Sequence, residues 1–149
     1  MSDGTLNSNM TIVRVKVVAT GNAPECYVLE WPDECSSSEQ QLPDASKWAY
    51  DTSRNSAGWY NGELQYYSNG RTQNAAVQNG SLVITARKET LAGSVGDWGG
   101  QRYTSARLYT KGKASWTYGF FEIRAKLPCG TGTWPAIWTL GSTVDIWPD

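Results

Sequence analysis

Two tryptophans stand four residues apart in the segment Trp134-Pro-Ala-Ile-Trp138, near the end of the sequence. Successive side chains of a β-strand alternate between its faces, so this even spacing predicts both indoles on one side, with the small Ala136 between them. Two flat apolar rings that flank a small residue form a slot suited to the apolar faces of pyranose rings. Periodicity leaves a second interpretation equally open, in which the same indoles fill a core layer.

Polar side chains that can bind sugar hydroxyls occur in two other segments. The sequence Asn-Gly-Glu-Leu-Gln-Tyr-Tyr over 61–67 predicts one strand face that carries Asn61, Glu63, Gln65 and Tyr67. Arg107 adds a guanidinium to a segment of otherwise uncharged residues. Planar amide, carboxylate and guanidinium groups make paired hydrogen bonds with vicinal hydroxyls. The pattern indicates carbohydrate binding, and a solvated strand face is the alternative.

A catalytic pair is harder to identify. The sequence contains no histidine, which excludes a Ser-His-Asp triad and every His-dependent metal site. Hydrolysis of a glycosidic bond instead requires two carboxyl groups about 5 to 10 Å apart. Glu63 and Glu122 converge only if their strands are neighbours, and Arg124 is expected to pair with Glu122. The residues alone therefore indicate a carbohydrate-binding protein without an identified acid and nucleophile.

Charge, hydropathy and cysteine content exclude several classes of protein. Thirteen basic and 14 acidic residues give a formal charge of -1, and no basic run is dense enough to bind nucleic acid. No apolar run approaches the roughly 18 residues that span a membrane, and the first residues lack the order of a signal peptide. Cys26, Cys35 and Cys129 show no metal-binding spacing. A disulfide between Cys26 and Cys35 and free, partly buried thiols both remain open.

Strand patterns dominate the chain that must position these residues. Alternating or β-prone segments predict strands over 11–18, 81–87, 103–110, 118–127 and 134–140. Asn79-Gly80 predicts a tight hairpin before 81–87, with Leu82, Ile84 and Ala86 inward. A turn or two of helix is expected only over 42–50, and 92–100 is expected to be an exposed loop.

Short strands with Gly and Asn turns predict an all-β sandwich or jelly roll. Residues 1–24 are interpreted as an N-terminal extension and 25–149 as one domain or the N-terminal portion of one.

Seven segments carry a resemblance to a known family. They are Leu29-Glu-Trp-Pro-Asp-Glu34, Leu42-Pro-Asp-Ala-Ser-Lys-Trp48, Asn61-Gly-Glu-Leu-Gln-Tyr-Tyr67, Gly80-Ser-Leu-Val-Ile-Thr-Ala-Arg87, Tyr103-Thr-Ser-Ala-Arg-Leu-Tyr-Thr-Lys-Gly112, Tyr118-Gly-Phe-Phe-Glu-Ile-Arg-Ala-Lys-Leu-Pro128 and Gly132-Thr-Trp-Pro-Ala-Ile-Trp-Thr-Leu-Gly141. In this order they resemble glycoside hydrolase family 16, and most closely its laminarinase branch of endo-β-1,3-glucanases. The resemblance covers roughly residues 27–149.

The resemblance implies a concanavalin-like jelly roll with an open cleft for β-linked glucan, and retaining hydrolysis by two glutamates. In the family these glutamates lie in a Glu-x-Asp-x-x-Glu strand a few residues after a Trp-Pro pair. Trp147-Pro148 resembles that pair, so the resemblance implies that the catalytic strand comes next and that this chain carries neither glutamate. A rival alignment places Thr143-Val-Asp-Ile-Trp-Pro148 on the motif and also supplies no glutamate.

The resemblance also implies roles for individual residues. Glucosyl subsites are implied for Asn61, Arg107, Trp134 and Trp138. Glu34 matches a position that helps to hold a structural calcium ion in some members, although Cys35 departs from the Phe that is common there. No other cofactor is implied.

Partners and location follow from the same resemblance. The implied ligand is β-1,3-glucan, and the incomplete jelly roll implies a complementary C-terminal fragment or another copy of the chain. A secreted or extracellular location is expected. The alternative function is a non-catalytic β-glucan-binding module that retains the Trp and Arg subsites.

Overall fold

The computed structural model describes residues 27–141 and, for its backbone alone, the strand Met10–Lys16. The predictions for Cys26 and for Trp147-Pro148 lie outside the described residues. So does most of the expected extension 1–24. No helix among the described residues is long and apolar enough to cross a membrane.

Eight short strands and one 3₁₀ turn at Tyr60–Gly62 make up the regular structure of the described residues. The strands are β1 Met10–Lys16, β2 Ala49–Tyr50, β3 Gln65–Tyr67, β4 Ala75–Gln78, β5 Ser81–Lys88, β6 Tyr103–Ser105, β7 Leu108–Tyr109 and β8 Arg124–Lys126. The larger sheet has the order β3-β6-β5-β1-β8, with β4 also paired with β5, and a small sheet joins β2 to β7. All pairs are antiparallel except β3 with β6. The all-β prediction is confirmed, and the sheets are partial.

The hairpin between β4 and β5 forms where the sequence predicts it. Gln78 and Ser81 are register partners, which leaves Asn79 and Gly80 as a two-residue loop. Their φ angles are 50° and 68°, the left-handed values that a turn matching the twist of the strands requires. A short-range sequence signal was sufficient here because the turn is set by its own two residues.

Strand β5 is buried on more than its predicted inner face. Leu82 is buried as expected and packs with Cys35 and Val77 in the core. Val83 and Thr85, on the opposite face of the strand, are also buried, whereas Ile84 is half-buried. The prediction of a single inward face is therefore wrong for β5, because the neighbouring structure covers both sides of its middle.

Three longer predicted strands are shorter or absent. The chain over 103–110 divides into β6 and β7, which pair in different sheets. Only 124–126 of the predicted strand 118–127 pairs with a neighbour, and no strand forms over 134–140 among the described residues. A strand needs a hydrogen-bonded neighbour, and the described residues supply one for only part of these alternating segments.

Two further expectations meet different outcomes. The predicted helix over 42–50 is a single turn, in which the Asp44 carbonyl accepts hydrogen bonds from the amides of Lys47 and Trp48 before β2 begins. The boundary between extension and domain near residue 24 stays a prediction, although the backbone of β1 pairs with β5 and β8.

Candidate functional site

Arg107 lies at the point where the chain leaves β6 for β7, and it is the centre of an aromatic and charged cluster. Its Nε lies 3.1 Å from Oδ2 of Asp51. Its guanidinium carbon lies 5.0 Å from the ring centroid of Trp59 and 5.1 Å from that of Trp138. Both distances are within the range of cation–π attraction. The structure therefore brings together two of the predicted site residues, Arg107 and Trp138.

The two indoles beside Arg107 differ in their exposure to solvent. Trp59 is buried, with 7% of its surface exposed, and its ring meets that of Tyr67 edge to face at 4.7 Å. Trp138 is 45% exposed. Trp59 therefore supports Arg107 from inside the protein, whereas Trp138 presents apolar ring surface to solvent. Asp51, Trp59, Tyr67, Arg107 and Trp138 are called the Arg107 cluster below.

A row of polar side chains adjoins this cluster along β3. The Glu63 carboxylate accepts a hydrogen bond from the Gln65 amide and, at 3.2 Å, another from the Tyr67 hydroxyl. The predicted common face of these three residues is confirmed. Burial and the negative charge of Glu63 raise the pKa of Tyr67 to about 12, so its hydroxyl stays protonated and able to donate well above neutral pH.

The other two predicted site residues lie apart from these contacts. Asn61 is exposed in the 3₁₀ turn before β3, with φ of 58°, so the strand alternation expected from 61 to 67 starts only later. Trp134 is 84% exposed. Among the described residues, the aromatic rings within cation–π distance of Arg107 are those of Trp59 and Trp138 and do not include Trp134. The strand expected over 134–140 does not form, so strand alternation does not place the two indoles on one side, and the slot between them stays a prediction.

Sequence reasoning misses two members of the Arg107 cluster, Asp51 and Trp59. Asp51 also accepts hydrogen bonds from the amide and hydroxyl of Ser53, so its carboxylate is held in a local turn while it pairs with Arg107. Trp59 comes two residues before Asn61, and its proximity to the predicted polar segment was the available signal. Neither residue has a spacing relative to Arg107 that predicts contact, since the contact is made between distant parts of the chain.

The predicted calcium position, Glu34, lies beside a surface cavity of about 300 Å³ that Asp33, Cys35 and Lys47 also line. The Asp33 carboxylate already accepts a hydrogen bond from the Trp48 indole. Burial and the charge of Asp33 raise the pKa of the Cys35 thiol to about 11, which makes it a poor metal ligand at neutral pH. No three His, Cys, Asp or Glu side chains in the described part of the chain gather to hold a metal. Calcium at Glu34 stays a prediction.

Comparison with known proteins agrees with the resemblance. Residues 62–148 match the family Glycosyl hydrolases family 16. The chain is 53% identical over 129 residues to a β-glucanase of Rhodothermus marinus and 38% identical over 124 residues to a glucan endo-1,3-β-glucosidase of Cryptopygus antarcticus. These matches cover 83% and 82% of the chain but only 41% and 42% of the relatives.

A solved structure shares the fold of the described part. It is a non-specific endo-β-1,3(4)-glucanase from family GH16, 51% identical, with a TM-score of 0.62. The match covers 71% of this chain and 38% of that one, so the chain spans about two fifths of the length of these three proteins. The chain therefore belongs to glycosyl hydrolases family 16, and its partial sheets form part of the jelly roll of that family.

Proposed function

We propose that the chain is part of a retaining endo-β-1,3-glucanase, a laminarinase, and that the Arg107 cluster binds glucosyl units. The observation that carries the proposal is the position of Arg107, which lies beside the half-exposed Trp138 and is fixed by Asp51 and Trp59. The proposal is also supported by the 53% sequence identity between this chain and a β-glucanase.

The chemistry of the cluster suits a polymer of glucose. The exposed ring of Trp138 offers an apolar surface to the C–H face of a pyranose, and the guanidinium beside it offers donors to the hydroxyls at the ring edge. Glu63, Gln65 and Tyr67 provide further donors and acceptors. Asn61 and Trp134, both exposed, are proposed as contacts for neighbouring glucosyl units. The cluster by itself binds sugar and supplies no hydrolytic step.

Hydrolysis requires groups that we place beyond Asp149 in the parent protein. In a retaining reaction one carboxylate attacks the anomeric carbon while a carboxylic acid protonates the departing oxygen, and water then cleaves the glycosyl-enzyme. A Glu-x-Asp-x-x-Glu segment does not occur in the 149 residues. We therefore expect this chain, taken alone, to bind β-glucan and to release no product.

The exposed apolar side chains support a further polypeptide as partner. Residues 118–140 leave large apolar side chains open to solvent: Tyr118, Phe120, Phe121, Ile123, Leu127, Trp134, Ile137, Trp138 and Leu140. Exposed apolar area of this extent is unusual for an isolated folded domain. A complementary C-terminal fragment, or another copy of the chain, would cover it and complete the sheets. The intact masses of all polypeptides in a purified sample test this: a second species of roughly 10 to 13 kDa supports the fragment.

Glucan binding and hydrolysis are tested separately on the same preparation. Binding of laminarin by isothermal titration should weaken about tenfold in Arg107→Ala and in Trp138→Ala, the size expected when one well-formed contact is lost. Arg124→Ala, which removes an exposed arginine of β8, is the matched control and should bind like the unchanged chain. Equal binding by all four proteins contradicts the proposed site, and release of reducing ends by the 149-residue chain contradicts the proposed position of the catalytic glutamates.

The second candidate function is a β-glucan-binding module without catalysis. A β-1,3-glucan-binding protein of Penaeus monodon is 47% identical over 47 residues, which favours keeping this candidate. An assay on the parent protein distinguishes the two candidates, because under this one it binds laminarin and releases no sugar.

Two further proposals rest on the family: an extracellular location, because the polymer cannot cross a membrane, and a calcium ion at Glu34 completed by ligands outside the described residues.

A further inference from the structure

Asn55 is a buried amide that holds the inner side of the Arg107 cluster. It is 1% exposed, and its Oδ1 accepts hydrogen bonds of 3.0 Å from the Trp59 indole N–H and from the Tyr67 amide. Its Nδ2 donates at 2.9 Å to the Tyr67 carbonyl and at 3.0 Å to Asp97. An amide side chain has two donors and an acceptor oxygen with two lone pairs, so Asn55 makes its full set of four bonds. The orientation of the amide is thereby fixed.

Asp97 reaches Asn55 from the segment 97–101, whose first four residues belong to the expected exposed loop 92–100. One Asp97 oxygen accepts from Asn55, and the other accepts from the Tyr66 hydroxyl at 2.7 Å. The Gln101 amide also donates to the Asn55 carbonyl. A side chain at Gly99 would place its Cβ 2.6 Å from that same carbonyl oxygen. The segment 97–101 therefore contacts Asn55 through Asp97, Gln101 and the backbone at Gly99, although Gly99 and Gly100 themselves are exposed.

The contacts form a continuous connection from this segment to Arg107. Asp97 sets the direction of the Asn55 amide, and the amide oxygen holds the Trp59 indole. The guanidinium of Arg107 lies 5.0 Å from that indole ring. Replacing the Asp97 carboxylate by an amide removes the negative charge that strengthens the bonds to Asn55 and Tyr66, so both become weaker neutral hydrogen bonds.

We propose that Asn55 and Asp97 are positioning residues for glucan binding, which act by fixing Trp59 beneath Arg107 and contact no sugar themselves. The proposal rests on the proposed function of the Arg107 cluster. It makes the segment 97–101 a determinant of glucan affinity, because it orients the buried support of that cluster. It also predicts that the effect of changing Asp97 passes through the Trp59 indole.

The test compares Asp97→Asn with Asp44→Asn in the full chain. Asp44 is the matched control, because it also accepts two hydrogen bonds within a loop but lies in the turn before β2. Laminarin affinity is measured by titration calorimetry, and hydrogen exchange of the Trp59 indole N–H is followed by NMR. Asp97→Asn should weaken laminarin binding about tenfold and speed the indole exchange by a similar factor, as expected when two charge-assisted hydrogen bonds become neutral ones. Asp44→Asn should change neither.

The outcomes separate this inference from the proposed function. Unchanged affinity or unchanged indole exchange in Asp97→Asn overturns the inference, as does an equal loss in Asp44→Asn. If the unchanged chain fails to bind laminarin, the proposed function fails, whereas the indole exchange still reports whether Asp97 positions Trp59. Should Asp97→Asn not fold by circular dichroism, Gln101→Ala removes the other side-chain contact of the segment with Asn55, and the same two measurements decide.

Discussion

Glu89 makes the stability of this protein depend on pH through a buried polar network behind β6. Arg71 donates from one nitrogen to Glu89 at 2.7 Å and to Asn74 at 2.8 Å. Thr104, which is fully buried, donates to the same Glu89 oxygen, and Nε of Arg87 lies 3.5 Å from it. The hydrogen bond from Arg71 is the main cause that lowers the pKa of Glu89 from 4.5 to about 2. The folded state therefore favours the ionised carboxylate.

The lowered pKa sets the size and the pH range of the effect. A lowering from 4.5 to about 2 corresponds to about 3 kcal/mol in favour of the ionised form. Since 23% of the Glu89 side chain is exposed, screening by water reduces the expected contribution to about 1 to 2 kcal/mol. The folded pKa lies below the unfolded one, so this stabilisation is complete above about pH 4.5 and is lost as the pH falls towards 2.

Glu89→Gln tests the reasoning because it removes the charge and nearly preserves the shape. Urea unfolding followed by tryptophan fluorescence should show a free energy of unfolding about 1 to 2 kcal/mol lower at pH 7, and this gap should shrink as the pH falls from 4.5 to 2.5. Glu39→Gln, at an exposed carboxylate, is the control and should leave the stability unchanged at every pH. The absence of a gap at pH 7, or a gap that stays constant down to pH 2.5, would refute the role of the Glu89 charge.

Three other predictions concern two glycines and the cysteines. Gly99→Ala places a Cβ 2.6 Å from the Asn55 carbonyl oxygen and should lower the free energy of unfolding by roughly 1 to 3 kcal/mol in urea titrations. An unchanged free energy of unfolding would contradict a tight contact between the loop backbone and Asn55. Gly80→Ala meets no atom within 4 Å but must adopt φ of 68°, so thermal unfolding should show a loss of about 1 kcal/mol, and an unchanged midpoint would contradict the left-handed turn. Iodoacetamide at pH 8 should label the exposed Cys129 well before Cys35, because Cys35 is buried and its pKa is raised to about 11. The labelling rates are measured by peptide mass spectrometry, and equal rates would contradict the burial of Cys35.

Local features of the structure could be predicted well from the sequence. The hairpin at Asn79-Gly80 depends on the backbone freedom of its own two residues, and the shared face of Glu63, Gln65 and Tyr67 depends on strand alternation over five positions. The all-β class depends on many such patterns that agree with one another. Each of these properties arises from neighbours in the chain, which is why periodicity and turn chemistry were enough.

Strand length was poorly predicted for a related reason. The alternation in 118–127 is the clearest in the chain, yet only Arg124–Lys126 form a strand. A pattern states which faces a segment would present if it were paired, but hydrogen-bonded pairing needs a second segment beside it. Phe121 and Ile123 consequently remain exposed in the described structure although their spacing is that of a buried face.

By itself, the sequence determined the fold class, the family and the types of residue available for binding sugar, because motif order, turn residues and composition are properties of the linear chain. Only the tertiary structure decided which residues act together. Arg107 meets Asp51 and Trp59, and Asp97 reaches Asn55 from a segment expected to be an exposed loop. These contacts form between distant positions, where charge, ring packing and the satisfaction of buried polar groups choose the partners and no spacing in the sequence records the choice.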